Sequence, residues 1–141
     1  MLFRSKNPNF YAGDFASPEQ IIPPQGLVNE EGDSIPWEAC ITMNNHWGYC
    51  SSDKSYKSCK MIIRKLVECV SKNGNLLLNV GPNALGEIPI ESIKILQEIG
   101  QWMKYNGESI YNCGKASLPK PEGVTLRNRK IIYMPIYLNL V

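Results

Sequence analysis

The chain has 141 residues, enough for one domain with a packed core. Charged residues make up 20% of it and the net charge is +2, which calls for neither nucleic acid nor an anionic surface as partner. No apolar stretch approaches the roughly 20 residues of a membrane span, and the opening MLFRSKNPNF has no apolar region of the signal-peptide kind.

Residues 1–36 contain Pro8, Pro18, Pro23, Pro24 and Pro36 and few periodic apolar positions, so a long irregular segment is expected there. WEACITM, from Trp37 to Met43, reads as a short strand ending at Asn44-Asn45. Next, Ile62, Ile63, Leu66, Val67 and Val70 recur at helical spacing, and Gly74 suits the stop of that helix. NLLLNV, from Asn75 to Val80, is a continuous apolar run closed by Gly81-Pro82, as expected of a buried parallel strand. From Pro89, which fits a first helical turn, Ile95, Leu96, Ile99, Trp102 and Met103 form a second amphipathic helix that Asn106-Gly107 ends. Strand, helix, strand, helix is a βαβα unit, and the fold class is α/β with a parallel sheet. VTLRNRKIIYMPIYLNL then reads as a β-hairpin around Asn128 with no helix after it.

In parallel α/β sheets, ligands sit at the carboxyl ends of the strands. Asn79 stands at one such end and Asn44–Tyr49 follow the other, so both turns are expected on the same side. A lone Asn there reads first as a satisfied amide holding a loop. NNHWGY is more informative. It puts His46, Trp47 and Tyr49 in a glycine-containing loop, where an aromatic face can stack on the apolar side of a pyranose. The five cysteines are odd in number and contain no Cys-x-x-Cys pair, which argues against a zinc knuckle or a dense disulfide framework and leaves one or two disulfides open. Neither metal ion nor cofactor is expected.

WEAC, NNHWGY, VSKNGNLLLNVGPNALGEIP and IGQWMKYNGESIY together resemble the C-terminal part of the catalytic domain of α-L-fucosidases, glycoside hydrolase family 29, over roughly residues 11–113. The resemblance implies the last strands of a (β/α)8-like, TIM-type barrel over residues 1–113 and the truncated start of a β-sandwich over 114–141. It also implies a retaining glycosidase acting on fucosylated glycans, with no nucleic-acid or membrane partner, in a family usually secreted, periplasmic or lysosomal. The family nucleophile is an Asp on a Trp-x-Asp strand end. Asp14, Asp33 and Asp53 are the aspartates here and none lies in such a motif, so the chain is read as a fragment, inactive alone. His46-Trp47-Gly48 is not the family's sugar-binding His-Trp-Gly segment; it aligns with a loop that usually carries Ser at the first position, and His46 is assigned no catalytic role.

Three carboxylates compete for the general acid/base. Glu19, in GDFASPEQ, matches the family segment whose Glu serves in bacterial members and is the best candidate. Asp14 matches the earlier acidic position of that segment. Glu38, in WEAC, shares a strand face with Cys40 and is the other alternative. The resemblance makes Trp47 the sugar-contacting aromatic. Against the enzyme stands one other reading, a non-catalytic carbohydrate-binding relic.

Overall fold

The computed structural model describes residues 15–115 and the two strands 124–129 and 132–137. Strand β1 (Glu38–Thr42) leads through a long loop to helix α1 (Cys59–Ser71). Strand β2 (Asn75–Asn79) and helix α2 (Ile90–Asn106) follow. β1 and β2 pair in parallel from Glu38↔Asn75 to Thr42↔Asn79, so the expected βαβα unit is present. A 3-10 turn at Gly107–Ser109 ends the second helix, and β3 (Gly114–Lys115) joins β4 (Val124–Arg129) and β5 (Ile132–Tyr137) in an antiparallel sheet. Asn128 lies within β4, opposite Tyr133, and the hairpin pairs as far as Arg129↔Ile132, so the reversal comes after the residue the sequence pointed to.

The core lies between β1 and α1. Alternation along β1 sends Trp37, Ala39, Ile41 and Met43 to the helix side, each at most 2% exposed. Ile62, Ile63, Val67, Cys69 and Val70 line the facing stripe of α1. Ser58 caps α1, its hydroxyl accepting from the Met61 N–H at 3.2 Å.

The stop of α1 differs from expectation. Asn73, at φ +62°, takes the left-handed position, and the Asn73 and Gly74 N–H groups bond the carbonyls of Val70 and Cys69. This is a Schellman closure with asparagine in the usual glycine place. Gly74 serves packing instead: a Cβ there would lie 2.2 Å from the Trp37 ring.

The Pro-rich segment is also more regular than its composition suggests. Ala16 and Glu19 pair in parallel with Trp37 and Cys40. The N–H groups of Glu38 and Cys40 bond the Ala16 and Pro18 carbonyls, and those of Ala16 and Gln20 bond Pro36 and Cys40. Prolines survive because the ladder uses the Pro18 carbonyl and never needs its missing N–H. The three leucines of β2 are only half-buried, and α2 fully buries Ser92 alone. Among the described residues β2 pairs with β1 alone, which leaves its far edge uncovered.

Candidate active site

The loop between β1 and α1 is organised by Asp53, only 8% exposed although it lies in the loop itself, six residues before α1. Its carboxylate accepts the N–H groups of Asn45 and Ser55, each at 2.9 Å, and faces His46 Nδ1 at 2.7 Å. The His46 bond, then the Ser55 N–H, hold the Asp53 carboxyl down to about 2. In return His46 is raised, first by Asp53 and then by the nearby Cys50. The Cys50 thiol is lowered in turn, chiefly by the Ser52 hydroxyl at 3.3 Å. Lys57 reaches back to the Asn44 carbonyl at 3.0 Å, with its ammonium pKa lowered mainly by burial.

Both turns at the carboxyl ends of β1 and β2 meet, as the parallel order requires. Asn79 donates from Nδ2 to the Trp47 carbonyl at 2.7 Å, and its own carbonyl accepts the Met43 N–H at 3.3 Å. The amide at the end of the leucine run is therefore a strut for the Trp47 loop. Gly81 lies against the Gly48-Tyr49 peptide so closely that a Cβ would come within 2.6 Å of Gly48. Lys54 and Glu91 close the other side at 3.3 Å. Trp47 and Tyr49 keep 40% and 52% of their surface free on the outside of this frame. A small cavity between the turns is bordered by Asn44, Tyr49, Tyr56, Asn79 and Pro89.

The candidate carboxylates separate along the sheet. Glu19 pairs with Cys40, so it shares a face with Cys40 and, by alternation, with Glu38. It sits at the carboxyl end of its own parallel segment, whereas Glu38 opens β1 two residues below Cys40, roughly 6.6 Å lower along the strand. Asp14 lies outside the described residues.

The family model for alpha-L-fucosidase matches residues 3–108. The chain belongs to the α-L-fucosidase family. Alpha-L-fucosidase isoenzyme 1 from Paenibacillus thiaminolyticus superposes with a TM-score of 0.82 at 62% identity, covering 84% of this chain and 28% of that one. A glycoside hydrolase family 29 α-L-fucosidase from Bacteroides thetaiotaomicron superposes at 0.74 with 29% identity over 84% of this chain and 28% of its own; it is a covalent intermediate trapped with 2-fluoro-fucosyl fluoride in a glutamate-to-glutamine variant. The Dictyostelium discoideum α-L-fucosidase is 37% identical over 111 residues, 77% of this chain and 22% of its own. The chain thus spans a fifth to just over a quarter of the length of these relatives.

For this α-L-fucosidase-family chain, two features escaped the sequence reading. One is the strand-like Ala16–Gln20 segment, hidden by its prolines. The other is Asp53. Its signal was local: Asp53 followed two residues later by Ser55 is the spacing of an Asx turn, and the Ser55 N–H does bond the Asp53 side chain.

Proposed function

We propose that this chain is the C-terminal part of the catalytic domain of a retaining α-L-fucosidase that removes terminal α-L-fucose from glycans. Residues 1–113 belong to its barrel and 114–141 begin a β-sandwich. The nucleophilic aspartate comes from outside the chain. It attacks the anomeric carbon while Glu19 protonates the departing oxygen, and Glu19 then deprotonates the water that hydrolyses the fucosyl-enzyme. Trp47 packs against the sugar. The observation that carries this reading is the placement of Glu19 at the carboxyl end of a parallel segment, two rungs above Glu38 and on the same sheet end as the Trp47 loop. The uncovered edge of β2 supports the barrel.

The test is a hybrid enzyme in which this chain replaces the matching segment of the Paenibacillus thiaminolyticus enzyme. Glu19→Ala should slow a fucosyl disaccharide far more than a nitrophenyl fucoside, because only the poor leaving group needs a proton. Azide needs no base and should restore turnover, yielding a fucosyl azide of retained configuration. Azide rescue of Asp14→Ala or Glu38→Ala instead, with Glu19→Ala losing activity equally on both substrates, assigns the role elsewhere. Sugar binding by a hybrid that never turns over supports the non-catalytic reading.

A further inference from the structure

Immediately after Glu19 the backbone does something unusual: Gln20 sits at φ +60°, one of three non-glycine residues at positive φ among those described. The other two, Asn73 and Asn112, are asparagines, the type that tolerates this region best. Glutamine lacks the short side chain that makes asparagine tolerant. Such a conformation persists where the surroundings over-determine it.

What determines it here is a peptide-like role for the side chain. Along this edge of β1, the N–H groups of Glu38 and Cys40 are taken by the carbonyls of Ala16 and Pro18. The next N–H in the series, Thr42, is taken at 3.4 Å by the side-chain carbonyl of Gln20. The left-handed turn swings the main chain away after Glu19, and the Gln20 amide supplies the missing rung. The same amide donates from Nε2 to the Thr42 hydroxyl at 2.8 Å, while the Gln20 N–H still bonds Cys40 at 2.9 Å.

Thr42 is 1% exposed and ends β1, directly before the Trp47 loop. Its hydroxyl donates to the Asn44 carbonyl, which Lys57 also holds, and Asn44 Oδ1 accepts the His46 N–H at 3.1 Å. A continuous hydrogen-bonded path therefore runs from Gln20 through Thr42 and Asn44 to the residue before Trp47. We propose that Gln20 is a positioning residue that locks the segment carrying Glu19 to the loop carrying Trp47, so that carboxylate and sugar platform keep one mutual geometry. This rests on the assignment of Glu19 as acid/base. A general acid must hold its carboxyl group at hydrogen-bond distance, roughly 2.6–3.2 Å, from the glycosidic oxygen, and a small misplacement is costly to the rate.

The experiment compares Gln20→Gly, Gln20→Asn and Glu19→Ala in the hybrid enzyme. Gln20→Gly keeps the positive φ without strain and removes only the side-chain clasp; Gln20→Asn is one methylene too short to reach Thr42. Both should lower kcat/KM for a fucosyl disaccharide at least tenfold more than for a nitrophenyl fucoside, a pattern that mere loss of stability does not produce. Wild-type leaving-group dependence in Gln20→Gly overturns the proposal, since the turn alone then suffices. Failure of the underlying assignment shows separately, as a Glu19→Ala variant without azide rescue. Hydrogen exchange of the hybrid enzyme, read by mass spectrometry on peptides from this segment, gives an independent reading. Gln20→Gly should accelerate exchange of the Thr42 amide and of the His46 amide beyond it. Unchanged exchange at Thr42 overturns the clasp, and acceleration at Thr42 alone overturns the coupling to the loop.

Discussion

At the scale of single residues, the loop between β1 and α1 divides labour between an exposed aromatic and a buried carboxylate. Trp47 offers an open face, and in the hybrid enzyme Trp47→Ala should weaken binding of a fucose-like iminosugar by about 1–3 kcal/mol, the worth of a large apolar contact. An unchanged affinity by calorimetry makes Trp47 a packing residue only. Asp53 and His46 give the loop a defined response to pH. Asp53 is held near 2, below its ordinary 3.8, so its contribution is complete above 3.8 and is lost as pH falls toward 2. His46 is raised above 6.5, so its contribution is complete below 6.5 and is lost as pH rises through the folded value. The loop is therefore tied most firmly between pH 3.8 and 6.5. His46 is the chain's one histidine, which makes its ring proton a unique NMR reporter. Its midpoint should lie above 6.5 and return toward 6.5 in Asp53→Asn. A midpoint indifferent to that substitution breaks the pair.

At the scale of elements, two glycines set the distances between neighbours. Gly74 lets β2 start beneath the Trp37 ring, and Gly81 lets the turn after β2 touch the Gly48-Tyr49 peptide. The Gly81 contact is with backbone, which cannot rotate out of the way. In the hybrid enzyme, Gly81→Ala should therefore be destabilising by about 1–3 kcal/mol, the cost of overpacking, and should lower affinity for a fucose-like iminosugar because the displaced peptide adjoins Trp47. Gly48→Ala is the control: a Cβ there meets nothing within 4 Å. Its unfolding free energy in the same hybrid should stay within about 0.5 kcal/mol of the parent. Equal effects of the two substitutions would show that the turns do not press on each other.

At the scale of the whole molecule, the chain carries less cover than its apolar pattern calls for. Leu85, Ile90 and Ile93 are 81%, 58% and 36% exposed, and the leucines of β2 are half-buried. A strand with an unpaired edge and an apolar helix face normally meets further layers. The isolated chain should bind a hydrophobic dye such as ANS and self-associate in sedimentation. On the proposed reading, in which the nucleophile of a retaining site comes from outside the chain, it should also leave a nitrophenyl fucoside untouched. A monomeric chain with a sharp cooperative melt counts against the barrel, and turnover comparable to that of an intact relative counts against the shared nucleophile.

The sequence by itself determined the order and type of the regular elements from Trp37 to Asn106, because helical spacing in α1 and an unbroken apolar run in β2 are local patterns. It determined the family too, because GNLLLNVGP and its neighbours are contiguous. It also placed Asn79 and Trp47 at one end of the sheet, since parallel strands leave no other choice. Only the tertiary structure decided that Ala16–Gln20 pairs with β1, that Asn73 and not Gly74 turns the end of α1, and that Asp53 and Gln20 hold the loops. Each of these depends on a partner: an acceptor carbonyl 20 to 22 positions away, the Trp37 ring, a histidine seven residues back. Such preferences arise when the chain closes on itself, because a buried polar group or a strained φ is tolerated only where a partner from another part of the chain satisfies it.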